Sequence, residues 1–298
     1  MRTPLDRHAL GRALTALANA APGQLPLAGV AASGTQPARR IGLTGAPGAG
    51  KSTLAGHLAL HRIRQGRRIG VLAVDPSSPR SGGAILGDRI RMDELEGSAE
   101  LYIRSIASRG TSDGLSDNLP EMLDLMDAHG FDEVVLETVG VGQAEYAARA
   151  QVDTLVLVLL PDSGDVVQAM KAGIMELADV FVVNKSDLPG AQKMASDIQR
   201  IAAMAPHDEG DWRPSVLLAS ASKPETITAL SAELDRHQEW VARSGRGAGM
   251  ALERSRYRLR RVIERRCVQV IQQFGPVEFQ APMAEQVRHA LREIGRME

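Results

Sequence analysis

With 298 residues, 44% of them hydrophobic and 24% charged, the chain has the balance of a globular protein with room for one large domain and appendages. Its 35 basic and 36 acidic side chains leave a formal charge of −1, which excludes wholesale electrostatic binding to nucleic acid or anionic lipid. A lone cysteine, Cys267, excludes an intrachain disulfide, a thiol-rich metal site and a Cys-x-x-Cys redox motif. Only 3% of residues are aromatic, so the core has to be built from Ala, Val, Leu and Ile, a mix suited to an α/β fold with a parallel sheet under helices.

In chain order, residues 5–19 space Leu5, Ala9, Leu10, Ala13, Leu14 and Leu17 at helical intervals, which predicts an amphipathic helix. Pro and Gly between 21 and 37 predict a linker. From Ile41 onward β-rich runs alternate with helical patterns: 40–45, then helix 51–64; 68–74; 100–104, then helix 118–129; 132–137; 152–160, then helix 165–177; 180–184, then helix 190–203; 215–219, then helix 224–241. Such alternation predicts a mostly parallel sheet with crossover helices, a P-loop type α/β fold whose ligands sit at the strands' carboxyl ends. A further helical stretch follows residues 244–249, with Arg254, Arg256, Arg258, Arg260, Arg261, Arg265 and Arg266 off its apolar face. That pattern predicts a solvated basic face or a dimer-forming helix rather than a nucleic-acid patch. The domain reading is an N-terminal helix and linker over 1–37, a nucleotide-binding domain over 38–244 and a helical extension over 245–298.

No membrane partner is expected: the longest apolar run, Leu155 to Leu160, is far short of the roughly 18 residues of a membrane span. Charges mixed into residues 1–20 do not resemble a signal peptide, and the predicted location is cytoplasmic.

Chemistry concentrates in two motifs. Gly45-Ala46-Pro47-Gly48-Ala49-Gly50-Lys51-Ser52-Thr53 follows a predicted strand and opens a predicted helix, the context of a phosphate-binding loop. Its glycines let backbone N–H groups turn inward on a phosphate and the helix N-terminus adds partial positive charge. Lys51 reaches the β- and γ-phosphates, and Ser52 offers a hydroxyl to Mg²⁺. Asn184-Lys185-Ser186-Asp187 follows the strand Val180–Val183 and is expected to read guanine. Asp187 accepts from N1–H and the 2-amino group, Lys185 lies along the base and Asn184 braces the loop. The predicted ligands are therefore GTP or GDP with Mg²⁺. Ser220-Ala221-Ser222 is expected to give a backbone N–H to the guanine carbonyl, to cap the helix from Pro224, or to do both.

Three carboxylates, Asp75, Asp88 and Glu137, are expected at the sheet mouth to orient the waters of a metal also held by Ser52, with helix capping the alternative for Asp88. Gly140, in Glu137-Thr-Val-Gly140, is placed to bring its N–H to a γ-phosphate. Lys51, Asp88 and Glu137 form the candidate catalytic set. His57 and His61, one helical turn apart, are expected at the surface rather than on a metal.

With those motifs the sequence resembles the MeaB-type GTPases, G-protein chaperones of adenosylcobalamin-dependent acyl-CoA mutases, a family long labelled arginine/ornithine transport ATPase. The resemblance runs from about residue 8 to 245 and rests on Gly45 to Thr53, Val71 to Asp88, Glu137 to Gln143, Lys171 to Asp179 and Asn184 to Asp187. It implies that Asp75, Asp88 and Glu137 surround Mg²⁺ and the attacking water. It also implies that Asp165 and Lys171 lie on a loop coupling nucleotide state to a mutase, and that the protein is a homodimer. GTP would then gate cofactor loading and protect the mutase from inactivation. The chain departs from the family pattern at Gly110-Thr-Ser-Asp-Gly-Leu-Ser116, at Val166, where the family usually has an acid, and at Ala144, where it usually has Ser. A metal-delivery GTPase would need Cys or His ligands, and a transport-associated ATPase or kinase would need adenine recognition; the composition and Asp187 respectively speak against them.

Overall fold

The computed structural model describes residues 2–20, 37–75, 98–108, 115, 118–138, 143–161, 173–204, 208 and 210–296. Seven strands form one sheet: β1 (Arg39–Thr44), β2 (Ile69–Asp75), β3 (Leu101–Ala107), β4 (Glu133–Thr138), β5 (Thr154–Leu159), β6 (Val180–Val183) and β7 (Ser215–Leu218). Their order is β3-β2-β4-β1-β5-β6-β7 and every pairing is parallel. β1 thus lies at the centre, where register brings Leu43 beside Glu137 on one side and Val156 on the other.

The strands lack polar alternation because both faces are buried, so successive residues feed opposite layers. Ile41, Leu43, Val71, Val135, Val156 and Val182 point to the layer covered by α2 (Lys51–Arg64) and α6 (Pro224–Ser244), where Leu54, Leu58, Leu230 and Leu234 meet them. Leu72, Val74, Val134, Leu136 and Leu155 point to the other face, under α1 (Arg7–Asn19), α3 (Leu119–Ala128) and α4 (Gln143–Arg149). Beyond β5, that face passes to α5 (Ala191–Met204), whose Ala191, Ala195 and Ile198 cover Leu157, Phe181 and Val183.

α1 is part of this core: Leu10 and Leu14 are fully buried and the helix is capped by Asp6, which accepts from the Ala9 N–H at 2.8 Å. The short helix α4 was not expected from the sequence; at seven residues it carries too few turns to show a period. Of the helix expected over 165–177, residues 165–172 lie outside the described residues, and the remainder holds a 3₁₀ turn over Ile174–Glu176.

Under the sheet's amino end, Arg62 of α2 is buried and donates to Glu133 (3.0 Å), Asp235 (2.7 Å) and the Ser231 carbonyl (2.8 Å), which ties α2, β4 and α6 together. Burial pushes the Glu133 carboxyl up while its arginine partners pull it down.

The arginine-rich helix is α7 (Arg246–Gln272), followed by α8 (Pro276–Gln280) and α9 (Met283–Gly295). The expectation of a solvated basic face is corrected for four of its arginines, which dock inward. Arg254 donates to Asp153 (2.6 Å) and Arg258 to Asp124 (2.6 Å), while Arg261 and Arg265 are buried and Arg265 bonds Asn118. Arg256 and Arg260 remain exposed, pairing with Glu253 and Glu264 on their own helix, and Arg260 also lies over the Tyr257 ring at 5.7 Å. Arg254, Arg258 and Arg265 answer carboxylates and an amide placed by α3 and the β5 approach, partners more than 100 residues away that no helical pattern reveals.

Candidate nucleotide site

The loop between β1 and α2 turns on two glycines. Gly45 has φ +141° and a Cβ there would collide with the Val158 carbonyl; Gly50 has φ +84° and a Cβ would meet the Asn184 amide at 2.5 Å. Only glycine allows β1 to approach β5 this closely and then enter α2 directly. The Lys51 ammonium, almost wholly buried, donates to the carbonyls of Gly45 (2.9 Å) and Ala46 (3.0 Å), so it lies across the mouth of its own loop.

Ser52, in the first turn of α2, donates its hydroxyl to Glu137 Oε1 at 2.6 Å. Both side chains are buried, and Glu137 sits near the carboxyl end of β4, the strand beside β1. A hydroxyl–carboxylate contact thus joins the end of the glycine-rich loop to the acidic end of β4. Both groups offer hard oxygen, a donor set that suits Mg²⁺. Asp75 ends β2, two strands from β1; its side chain, Asp88 and Gly140 lie outside what is described, as do Asp165, Val166 and Lys171. Among the described residues no cluster of three His, Cys, Asp or Glu side chains could hold a metal, and His61 contacts Gln65 at 3.1 Å.

The second motif closes onto the first. Asn184, buried at the end of β6, donates its amide to the Ala49 carbonyl at 2.7 Å, while its own N–H continues the ladder to Leu159. Lys185 has φ +51°, the one non-glycine residue with positive φ among the described residues, and this left-handed step turns the chain so that Asp187 faces out. Asp187 Oδ1 accepts from the Ser220 hydroxyl at 2.7 Å, a bond that, with its own backbone N–H, holds the carboxyl below the usual carboxylate range.

Ser220-Ala221-Ser222 is not the cap of α6: Lys223 is the N-cap residue and makes no side-chain capping bond. The Ser220 N–H goes to Thr226 Oγ1 (3.1 Å) and that of Ser222 to Ser220 Oγ (3.3 Å), which leaves the Ala221 N–H as the one that can meet a carbonyl on a base held by Asp187. The bracing of Asp187 by Ser220 was not read from the sequence. A serine 33 positions away carries no signal until β6 and β7 pair and bring both strand ends together.

The arrangement can cradle a polyphosphate at residues 45–52, present Ser52 and Glu137 beside it and read a base edge at Asp187 and Ala221. The family described as Methylmalonyl Co-A mutase-associated GTPase MeaB matches residues 10–274. A Pyrococcus abyssi protein named as a GTPase is 42% identical over 208 residues, covering 69% of this chain and 64% of that one. The mouse protein named Methylmalonic aciduria type A homolog, mitochondrial, is 40% identical over 210 residues, covering 69% of this chain and 50% of that one. The matched part of the chain therefore spans less than two thirds of either relative. A solved structure of a LAO/AO transport system kinase superposes with a TM-score of 0.66 at 24% identity, covering 98% of this chain and 93% of that one, a likeness of fold.

Proposed function

The chain belongs to the MeaB GTPase family, and on that premise we propose that it hydrolyses GTP to GDP and phosphate to gate adenosylcobalamin loading into a cobalamin-dependent acyl-CoA mutase, which it also protects from inactivation. The observation that carries the nucleotide part is the Asn184–Ala49 bond: it makes base-reading loop and phosphate loop one unit. Asp187, Lys185 and the Ala221 N–H take guanine, with Ser220 and Ser222 shaping that loop, and a carboxylate that finds no donors on adenine disfavours ATP. Gly45, Ala46, Pro47, Gly48, Ala49, Gly50 and Thr53 line the phosphates with Gly140, and Lys51 moves from its own loop carbonyls to the β- and γ-oxygens.

Ser52 fits Mg²⁺ as a direct ligand, with Glu137, Asp75 and Asp88 around it, and the metal would supply charge neutralisation on the phosphates. Glu137 then orients water, and Lys51 with Asp88 completes the hydrolytic set. The mutase part rests on the family's description and on the mouse relative's name. Nucleotide state would reach the mutase through the segment holding Asp165 and Lys171.

We assign the G domain to 38–244, with the left-handed Gly245 (φ +71°) between α6 and α7 supporting the boundary, the N-terminal helix and linker to 1–37, and a dimerising extension to 245–298. Leu252, Leu259, Ile263, Met283 and Leu291 are each about half or more exposed on α7 and α9, a surface suited to a second copy. No described helix is long and apolar enough to cross a membrane, and we assign the protein to the cytoplasm.

The test is to titrate an adenosylcobalamin-dependent mutase against the GTP-analogue and GDP forms. The affinities should differ by a coupling of about 1–3 kcal/mol, and Lys171→Ala should erase the difference. Equal affinity for both forms, or no binding, overturns the mutase reading and leaves the GTPase standing.

A further inference from the structure

Most buried or half-buried arginines of this chain meet a carboxylate. Arg40 pairs with Asp127, Arg62 and Arg67 with Glu133 and Asp235, Arg68 with Glu100, Arg149 with Asp179 and Arg258 with Asp124. Among the described residues two places depart from this pattern: buried Arg265, which bonds the Asn118 amide, and the outer edge of the sheet. Along the outer edge of the sheet, α1 and β3 enclose an open groove of about 830 Å³ lined by Arg7, His8, Arg12, Thr15, Tyr102 and Arg104, with no acidic side chain in its described lining.

The two inner arginines are held by neutral acceptors. Arg7 donates to the carbonyls of Ser98 and Leu101; Arg104 donates to the Gly11 carbonyl (3.0 Å) and the Thr15 hydroxyl (2.9 Å). These bonds fix the guanidinium groups, and no described carboxylate forms an ion pair with either. His8 and Arg12 are exposed on the α1 rim, and Asp6 on the same helix is engaged in capping it. Asp6 lies close enough to feel Arg12, though it makes no ion pair with it among the described residues.

The floor of the groove is a strand edge. β3 ends the sheet order and pairs with β2 alone among the described residues; in that parallel ladder Tyr102 and Arg104 turn to β2, so Ile103 turns its backbone N–H and C=O outward, while the Leu101 carbonyl on the same side is taken by Arg7. A second copy of the same edge would bring arginine against arginine, the device by which edge strands reject self-pairing. A nucleic acid would want stacking surfaces, and Tyr102, the one Phe, Tyr or Trp of the described lining, is half-buried with its ring against Phe131 at 6.4 Å.

We propose that this groove binds an extended acidic segment of a partner protein, which adds as a strand along β3 with its carboxylates against Arg7, Arg12, Arg104 and His8. The surface lies three strands from β1 and the phosphate loop, so nucleotide binding serves as an independent check of folding.

The test uses the full chain and a fluorescein-labelled eight-residue peptide alternating Glu and Val, followed by fluorescence anisotropy. Saturable binding with Kd of about 1–100 µM is expected, weakening as salt is raised. The double substitution His8→Glu and Arg12→Glu, on two exposed side chains, should weaken it at least about tenfold and leave GTP affinity unchanged. A backbone N-methylated version of the peptide, which cannot pair with the edge, should lose most of the affinity. Absence of saturation, indifference to the double substitution or to N-methylation, or tighter binding of a single-stranded oligonucleotide than of the peptide each overturns the proposal.

Discussion

Replacing Asn184 with alanine probes the joint between the two halves of the nucleotide site. Its amide is buried and donates to the Ala49 carbonyl at 2.7 Å, and Ala49 is itself fully buried. Truncation removes the donor and leaves that carbonyl desolvated, a loss of about 1–3 kcal/mol. The bond exists in the fold before any nucleotide arrives, so the first effect is on stability: the urea midpoint falls while the slope is unchanged. A second effect follows because the 184–187 loop then moves independently of residues 45–50 and has to be ordered on binding. GTP affinity therefore drops, by at most the same free energy, about 5–150-fold. Inorganic triphosphate, which engages only the phosphate loop, should lose much less. Calorimetry of GTP and triphosphate, with urea unfolding of the same variant, separates these terms. Wild-type GTP affinity together with an unchanged urea midpoint would refute the reasoning, because neither loop would then depend on the other.

Three further outcomes are expected. Asp187→Asn should weaken GTP by about a hundredfold and favour xanthosine triphosphate, whose 2-oxo group suits the new amide donor, as calorimetry with both nucleotides would show. Lys51→Ala should abolish nucleotide binding, whereas Glu137→Ala should retain it and slow hydrolysis by about a hundredfold, read in single-turnover phosphate release. Because the Ser220 hydroxyl holds the Asp187 carboxyl below its ordinary range, GTP affinity persists above that depressed pKa and fades as pH falls through it. Ser220→Ala moves the carboxyl back up, so in pH-dependent titrations affinity should begin to fall at a higher pH than in the unchanged protein.

The two ligand motifs and the parallel α/β fold could be read directly from the chain because each rests on a local requirement. Glycines at 45 and 50 are demanded by positive φ, and runs such as Leu155–Leu160 without polar alternation mean strands covered on both faces. The motifs proposed to take phosphate and guanine also carry that chemistry in consecutive residues, whatever surrounds them. What joins those motifs was decided by tertiary structure. The sheet order sets β1 between β4 and β5 and so delivers Glu137 to Ser52 across 85 positions; pairing of β6 with β7 delivers Ser220 to Asp187. The same holds for the inward docking of Arg254, Arg258 and Arg265. An arginine on a helix has the same local preference whether it faces water or Asp153, because partner choice depends on desolvation and on what another element brings within about 3 Å, and neither quantity exists until the layers pack.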